Sequence, residues 1–141
     1  MSASYRDLRV WQYSVRLVVD VYRITQAFPK QETYGLSSQM RRAAVSIPSN
    51  IAEGKGRMTD RDRAHFFSQA RGSLLELETQ AFIAQELGFL SRPETIATMR
   101  SSATIGSMLN ALIQSIRPKI AQMDVATSSR GRQPEDRKPE V

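Results

Sequence analysis

The 141-residue sequence has no cysteine, a single histidine, and no uninterrupted apolar run longer than three or four residues. Without cysteine there is no disulfide framework and no thiolate chemistry, which suits a reducing, cytoplasmic setting. Without a long apolar run no helix is expected to span a membrane. The opening MSASYRDLRVWQYS also lacks the apolar core and small-residue cleavage site of a signal peptide. A soluble, single-domain chain is therefore expected, long enough to bury a core.

The scarcity extends to catalytic groups. A carboxylate-bridged metal site in a helical bundle needs two Glu-x-x-His motifs, and this sequence has none. His65, with Asp62 three residues before it, reads as a surface residue at a helix start rather than a ligand. Glu76 and Glu78 are two apart and face different sides of a helix; with Glu53 and Glu86 they read as a solvated face rather than paired acids. Gly54-Lys55-Gly56 lacks the spacing of a phosphate loop and any preceding strand. No Ser or Thr has a histidine base set up by motif. The expectation is a protein that is not an enzyme, with no cofactor and no metal.

What is abundant is positive charge, and it is unevenly spread. Residues 1–63 carry eleven Lys/Arg against six Asp/Glu, residues 64–124 five of each, and residues 125–141 four against three. The excess sits on the first half of the chain. Such a bias suits a polyanionic partner, above all nucleic acid, although a basic surface also serves solubility.

Helical periodicity runs through most of the sequence. Helix 1 is predicted from about Asp7 to Ala27, with Leu8, Trp11, Val15, Val18, Tyr22 and Thr25 as its seam and Phe28-Pro29 as its stop. Arg9, Arg16 and Arg23 recur every seven residues, a basic ladder roughly 20 Å long at about 1.5 Å per residue. Helix 2 carries an apolar stripe of Leu36, Met40, Ala43, Ile47 and Ile51. Pro48 lies in its middle, where it removes one donor and predicts a kink. Ser46, Ser49 and Asn50 are placed to satisfy nearby backbone groups, and Gly54 reads as a C-cap. Glu53 reads as the partner of a basic residue across a helix or subunit boundary.

Helix 3, about Asp60 to Leu87, has Phe67, Ala70, Leu74, Leu77, Ala81 and Ala84 as its seam, a Thr59 or Asp60 cap, and Gly88 as its stop. Ser91-Arg92-Pro93-Glu94 reads as a capping box opening helix 4. In that helix Ile96, Met99, Ala103 and Gly106 lead to Leu109, Leu112, Ile113, Ile116 and Ile120. Pro118 is expected to kink helix 4 or end it at Arg117. Residues 1–124 are thus assigned to an all-α, antiparallel up-and-down four-helix bundle, and residues 125–141 to a disordered tail.

Several of these pieces carry a family likeness. Ser46-Ile47-Pro48-Ser49-Asn50-Ile51-Ala52-Glu53-Gly54 resembles the central motif of the bacterial four-helix bundle proteins encoded in intervening sequences of large-subunit ribosomal RNA genes. That family also includes the accessory variability determinant of diversity-generating retroelements. Leu8-Arg9-Val10-Trp11-Gln12, Phe28-Pro29, Tyr34-Gly35-Leu36, Gln39-Met40-Arg41-Arg42-Ala43 and Ala70-Arg71-Gly72-Ser73-Leu74-Leu75-Glu76-Leu77 match in the same order. The resemblance implies a homopentamer with a basic surface, and a partner such as a reverse transcriptase for the retroelement branch. Apolar residues outside the seams of helices 1 and 3 agree with subunit contacts.

Two functions follow as expectations. In the first, Arg9, Arg16, Arg23, one of Arg41 and Arg42, and the turn cluster Lys55, Arg57, Arg61 and Arg63 contact RNA or DNA phosphates without reading sequence. Pro48, Asn50, Glu53 and Gly54 are then structural, and Arg71 and Arg100 serve as controls on the neutral half. In the second, the oligomer is a scaffold that docks a partner protein.

Overall fold

The computed structural model describes residues 4–131, with side chains described to residue 116 and at residues 125 and 126. Its helices are α1 (Arg9–Thr25), α2 (Leu36–Gly56), α3 (Asp60–Glu86) and α4 (Arg92–Gly131), with 3-10 turns at Tyr5–Asp7 and Lys30–Glu32. No strand occurs among the described residues. α1 packs on α2 and α4, and α3 packs on the same two, so α1 and α3 lie diagonally across one core. Short connections reverse the chain each time, which gives the expected four-helix bundle.

The helix ends follow from local chemistry. α1 stops at Thr25, and Phe28 turns back into the core, 5.8 Å from Phe89 between ring centroids. Thr59 caps α3 by accepting from the Asp62 amide. At the other end Gly88 takes φ +77°, its amide donates to Gln85 and that of Phe89 to Ala84, a Schellman closure. Ser91 and Glu94 cap α4 reciprocally, at 3.1 and 3.2 Å. Ser91→Ala removes an acceptor for the Glu94 amide and should lower stability by about 1 kcal/mol, read by urea denaturation.

α2 runs unbroken through Pro48. Three side chains bond carbonyls in the turns around it: Ser46 to Ala43, Ser49 to Val45, and Asn50 to Ser46. These polar side chains bond backbone on either side of the proline, but none of them reaches the Ala44 carbonyl that Pro48 leaves without its helical donor. Two expectations for this segment fail. Gly54 is not a cap, because the helix continues to Gly56. It is buried, and a Cβ built on it would sit 2.7 Å from Phe67 Cε1 and 3.1 Å from Phe66 Cβ. Glu53 pairs with Arg57 on its own helix, at 3.7 Å.

The seams of α2 and α3 are buried as the periodicity predicts, save for the half-buried Leu36. Those of α1 before Thr25 and of α4 before Leu109 are rotated by one residue, while Thr25, Leu109, Ile113 and Ile116 are buried as expected. Val10, Ser14, Leu17, Val21 and Thr25 face the core in α1, whereas Tyr22 is exposed and Trp11, Val15 and Val18 are half-buried. In α4 the core face begins with Thr95, Thr98 and Ser102 and continues through Ile105, Leu109, Ile113 and Ile116; Ile96 and Ala103 point outward. The physical reason is the same in both. Small hydroxyl residues let helices approach closely, and each hydroxyl is satisfied. Ser14 donates to the Trp11 carbonyl, Thr25 to Val21, Thr95 to Ser91 and Thr98 to Glu94, while Ser102 reaches the Glu78 carboxylate at 2.8 Å. α4 also continues past Pro118, to Gly131. The disordered tail assigned to residues 125–141 lies, from residue 132 onward, outside the described residues, as does the side chain of Ile120.

Candidate nucleic-acid interface

Arg9, Arg16 and Arg23 are exposed along α1, as a period of seven on a 3.6-residue helix requires. Tyr13 lies four residues after Arg9 and three before Arg16, so one phenol ring serves both guanidinium groups. Their Cζ atoms stand 5.9 and 5.3 Å from its centroid. Such face contacts help fix the cations, and Arg9 Nη2 also donates to the Tyr13 hydroxyl at 3.5 Å. Arg23 is held loosely by Asp20, 3.9 Å away with both side chains mostly exposed, so it stays available to an anion.

Of the adjacent pair on α2, Arg41 is the one that reaches α1. Its Nε donates to Thr25 Oγ1 at 2.9 Å, Nη2 to the Tyr22 carbonyl at 3.4 Å, and the guanidinium covers the Tyr22 ring at 4.6 Å. These contacts bolt α2 to α1 and leave little of the group for a ligand. Arg42 points the other way, into a groove between α2 and α3.

The turn between α2 and α3 gathers the remaining cations. Arg57 lies on the Phe66 ring at 4.4 Å beside Glu53, and Arg63 pairs with Asp60 at 2.9 Å. Arg61 is exposed, and Lys55 is half-buried. The up-and-down path returns α2 to the end of the bundle where α1 begins, and the Tyr5–Asp7 turn packs on α2 there. The ladder and the turn cluster thus share the Arg9 end.

One contributor escapes sequence reading. Arg100 of α4, taken above as a control, lines the same cleft as Arg16. This cleft of about 310 Å³ has Tyr13, Arg16, Leu17 and Asp20 on one wall and Arg100, Ser101, Thr104 and Ile105 on the other. Two guanidinium groups lining one cleft suit a phosphate better than either arginine alone, although the Asp20 carboxylate lines it too. Nothing in the linear pattern marks Arg100, because its neighbourhood depends on the α1–α4 register. Arg71, by contrast, is occupied with Asn110 at 3.0 Å.

His65 is exposed, within 2.9 Å of the Gln69 amide. Among the described residues no group of three or more His, Cys, Asp or Glu side chains is placed to hold a metal ion. No helix among them is long and apolar enough to cross a membrane.

An all-α four-helix bundle with a cation-lined flank defines the class. Within it, the chain belongs to the 23S rRNA-intervening sequence protein family, whose model matches residues 6–111. The bundle is similar to the crystal structure of a protein of unknown function from the S23 ribosomal protein family of Bacteroides thetaiotaomicron. The TM-score is 0.69 at 20% identity, covering 74% of this chain and 95% of that one. No curated protein matches the chain.

Proposed function

We propose that the protein is a non-catalytic, cytoplasmic nucleic-acid-binding bundle that holds RNA or DNA through phosphate contacts along α1 and the α2–α3 turn. The observation that carries this reading is the cleft lined by both Arg16 and Arg100, continued along α1 by the exposed Arg9 and Arg23. Arg9, Arg16, Lys55 and Arg100 make no ion pair among the described residues, so their charge is available. Membership of a family named for ribosomal RNA intervening sequences supports an RNA-related role. The test is fluorescence anisotropy of short RNA and DNA across a salt series. Affinity should fall linearly on a log–log plot, with a slope near −0.7 to −0.9 per phosphate contact; no binding at low salt rejects the reading.

The same reading makes the protein a homo-oligomer, a pentamer by its family likeness. Support comes from an open apolar groove of about 560 Å³ between α3 and α4, where Phe82 and Ile96 are 55% and 40% exposed beside Met99 and Ala103. Adjacent apolar surface of this kind marks a contact face. Phe82→Glu together with Ile96→Glu should convert the assembly to monomers in light scattering while leaving the helical circular dichroism intact. The groove also favours a second reading, a scaffold that docks a reverse transcriptase or another partner protein. In that case the double variant keeps its oligomer mass and loses the partner.

A further inference from the structure

The polar groove between α2 and α3 is not used by the phosphate contacts described above. It is open, about 680 Å³ in volume, and lies on the side of the bundle opposite the Arg16–Arg100 cleft. Ser46 and Ser73 meet across it, and their two hydroxyl protons serve that contact and the Ala43 and Gln69 carbonyls in alternation. That floor is small and polar. Arg42 on α2 is exposed and makes no hydrogen bond or ion pair among the described residues. Glu76 on α3 is exposed as well. One of its oxygens accepts from the Gln80 amide at 3.3 Å, which orients the carboxylate, and it makes no other bond among the described residues. A free cation and a free carboxylate thus line the same groove without pairing.

Gly72 adds an independent observation. It lies in the middle of α3, lines this groove, and has nothing within 4 Å of the position a Cβ would take. Glycine weakens a helix interior, and neither positive φ nor crowding within the chain calls for it here. What it leaves is a bare stretch of helix backbone beside the Ser46–Ser73 floor, wide enough for a flat body to lie against.

We infer that the α2–α3 groove, through Arg42, Glu76 and the backbone at Gly72, holds an unstacked guanine base of a bound single strand. Guanine presents two adjacent donors, N1–H and the N2 amino group, and two acceptors, O6 and N7, on the neighbouring edge. A carboxylate accepts from the first pair and a guanidinium donates to the second. Uracil turns a carbonyl on either side of its single N–H toward the carboxylate, and adenine and cytosine offer one amino group next to a ring acceptor. Only guanine satisfies both walls. Splayed bases read on their Watson–Crick edges are the usual route to sequence preference in single-stranded RNA. Asn50 and Gln69 form the end of the groove nearer in sequence to the basic α2–α3 turn, so a strand held at that turn by its phosphates can present a base to it. The inference rests on the nucleic-acid reading above and adds base selectivity to it.

The experiment compares a labelled ten-uridine RNA with the same RNA carrying one central guanosine, by anisotropy at fixed salt, with GMP, AMP, CMP and UMP as competitors. The guanosine strand should bind about 10-fold tighter, within the range of one bidentate base contact, and GMP alone should erase the difference. Glu76→Gln and Gly72→Gln should each reduce the preference to about twofold or less, leaving uridine-strand affinity and its salt slope unchanged. Gly72→Gln is the control for folding, since glutamine is a good helix former and its melting temperature should not fall. Equal binding of both strands overturns the inference and leaves the phosphate reading standing. If neither strand binds at low salt the phosphate reading fails, and calorimetric titration with GMP then decides the groove separately: binding of GMP but not AMP upholds it, no binding rejects it. A change of oligomer mass in either variant also overturns the inference, because the groove is then a contact between protein chains.

Discussion

Reversing Arg9, Arg16 and Arg100 to Glu should flatten the salt dependence of RNA binding by roughly 2–3 units of log–log slope, because each lost phosphate contact removes about 0.7–0.9. At low salt the loss of affinity should exceed that of neutral replacements, since the new carboxylates repel the strand as well as failing to hold it. The composition of the triple variant matters. Arg9 and Arg16 share the Tyr13 ring, and Arg16 and Arg100 line the same α1–α4 cleft. The three form one connected surface rather than three independent charges. A comparison variant, Arg9, Arg23 and Arg71 to Glu, makes the same change in net charge but leaves the cleft whole. Its slope should change less, because Arg71 is bound to Asn110 and adds no phosphate contact. If the two triple variants lose binding equally, only net charge matters and the cleft has no special role. Reversal in steps separates the terms, since contacting groups couple and distant ones add.

The helices were legible because their periodicity and punctuation agree. α3 could be read completely: its seam, its Thr59 cap and its Gly88 stop are each where the pattern puts them. The seams of α1 and α4 were misread for a reason that applies to bundles generally. Size and apolarity pick out Leu8, Trp11, Val15, Val18 and Tyr22, and Ile96, Met99 and Ala103. The core prefers the narrower stripes through Val10, Ser14, Leu17 and Val21, which meet the predicted seam only at Thr25, and through Thr95, Thr98 and Ser102, with the hydroxyls satisfied within the helix or across to Glu78. A sequence pattern weighs hydrophobicity, whereas close helix approach weighs volume. The displaced large residues then lie half-buried or exposed on the outside, which is where the α3–α4 groove comes from.

The candidate site was half legible for a related reason. The Arg9–Arg16–Arg23 ladder is a property of one helix and can be counted along the chain. Whether Arg41 and Arg42 add to it depends on the α1–α2 contact, which ties Arg41 to Tyr22 and Thr25. Whether Arg100 adds to it depends on the α1–α4 contact. Neither register is written in local spacing. Arg41 looked like a ligand group and is largely a fastener, whereas Arg100 looked inert and completes a cleft.

Gly54→Ala should destabilise the bundle although alanine is the better helix former. In the middle of a helix that exchange ordinarily gains close to 1 kcal/mol, and Gly72→Ala, whose methyl meets nothing, should show about that gain. At Gly54 the methyl would lie 2.7 and 2.9 Å from Phe67 ring carbons and 3.1 Å from Phe66 Cβ. The Phe67 ring is buried, at 2% exposure, and Phe66 Cβ moves only with the α3 backbone, so neither neighbour can step aside cheaply. Overpacking of a close-packed core costs about 1–3 kcal/mol, which leaves a net loss of roughly 1–2 kcal/mol for alanine after the propensity gain. Gly54→Leu should reach or pass 3 kcal/mol, because its longer side chain has no space to enter. Urea unfolding of the three single variants, with oligomer mass held constant, reads the sign directly. A gain for Gly54→Ala equal to that for Gly72→Ala would mean that Phe67 yields and that the close approach is incidental. The expected loss has a further consequence for the site. Gly54 lies where α2 and α3 converge on the turn bearing Lys55, Arg57, Arg61 and Arg63. A side chain there spreads the two helices at the end of the bundle where the turn cations gather beside the ladder. RNA affinity should then fall together with stability in the Gly54 variants, whereas Gly72→Ala separates the two by raising stability with the salt slope of phosphate binding unchanged.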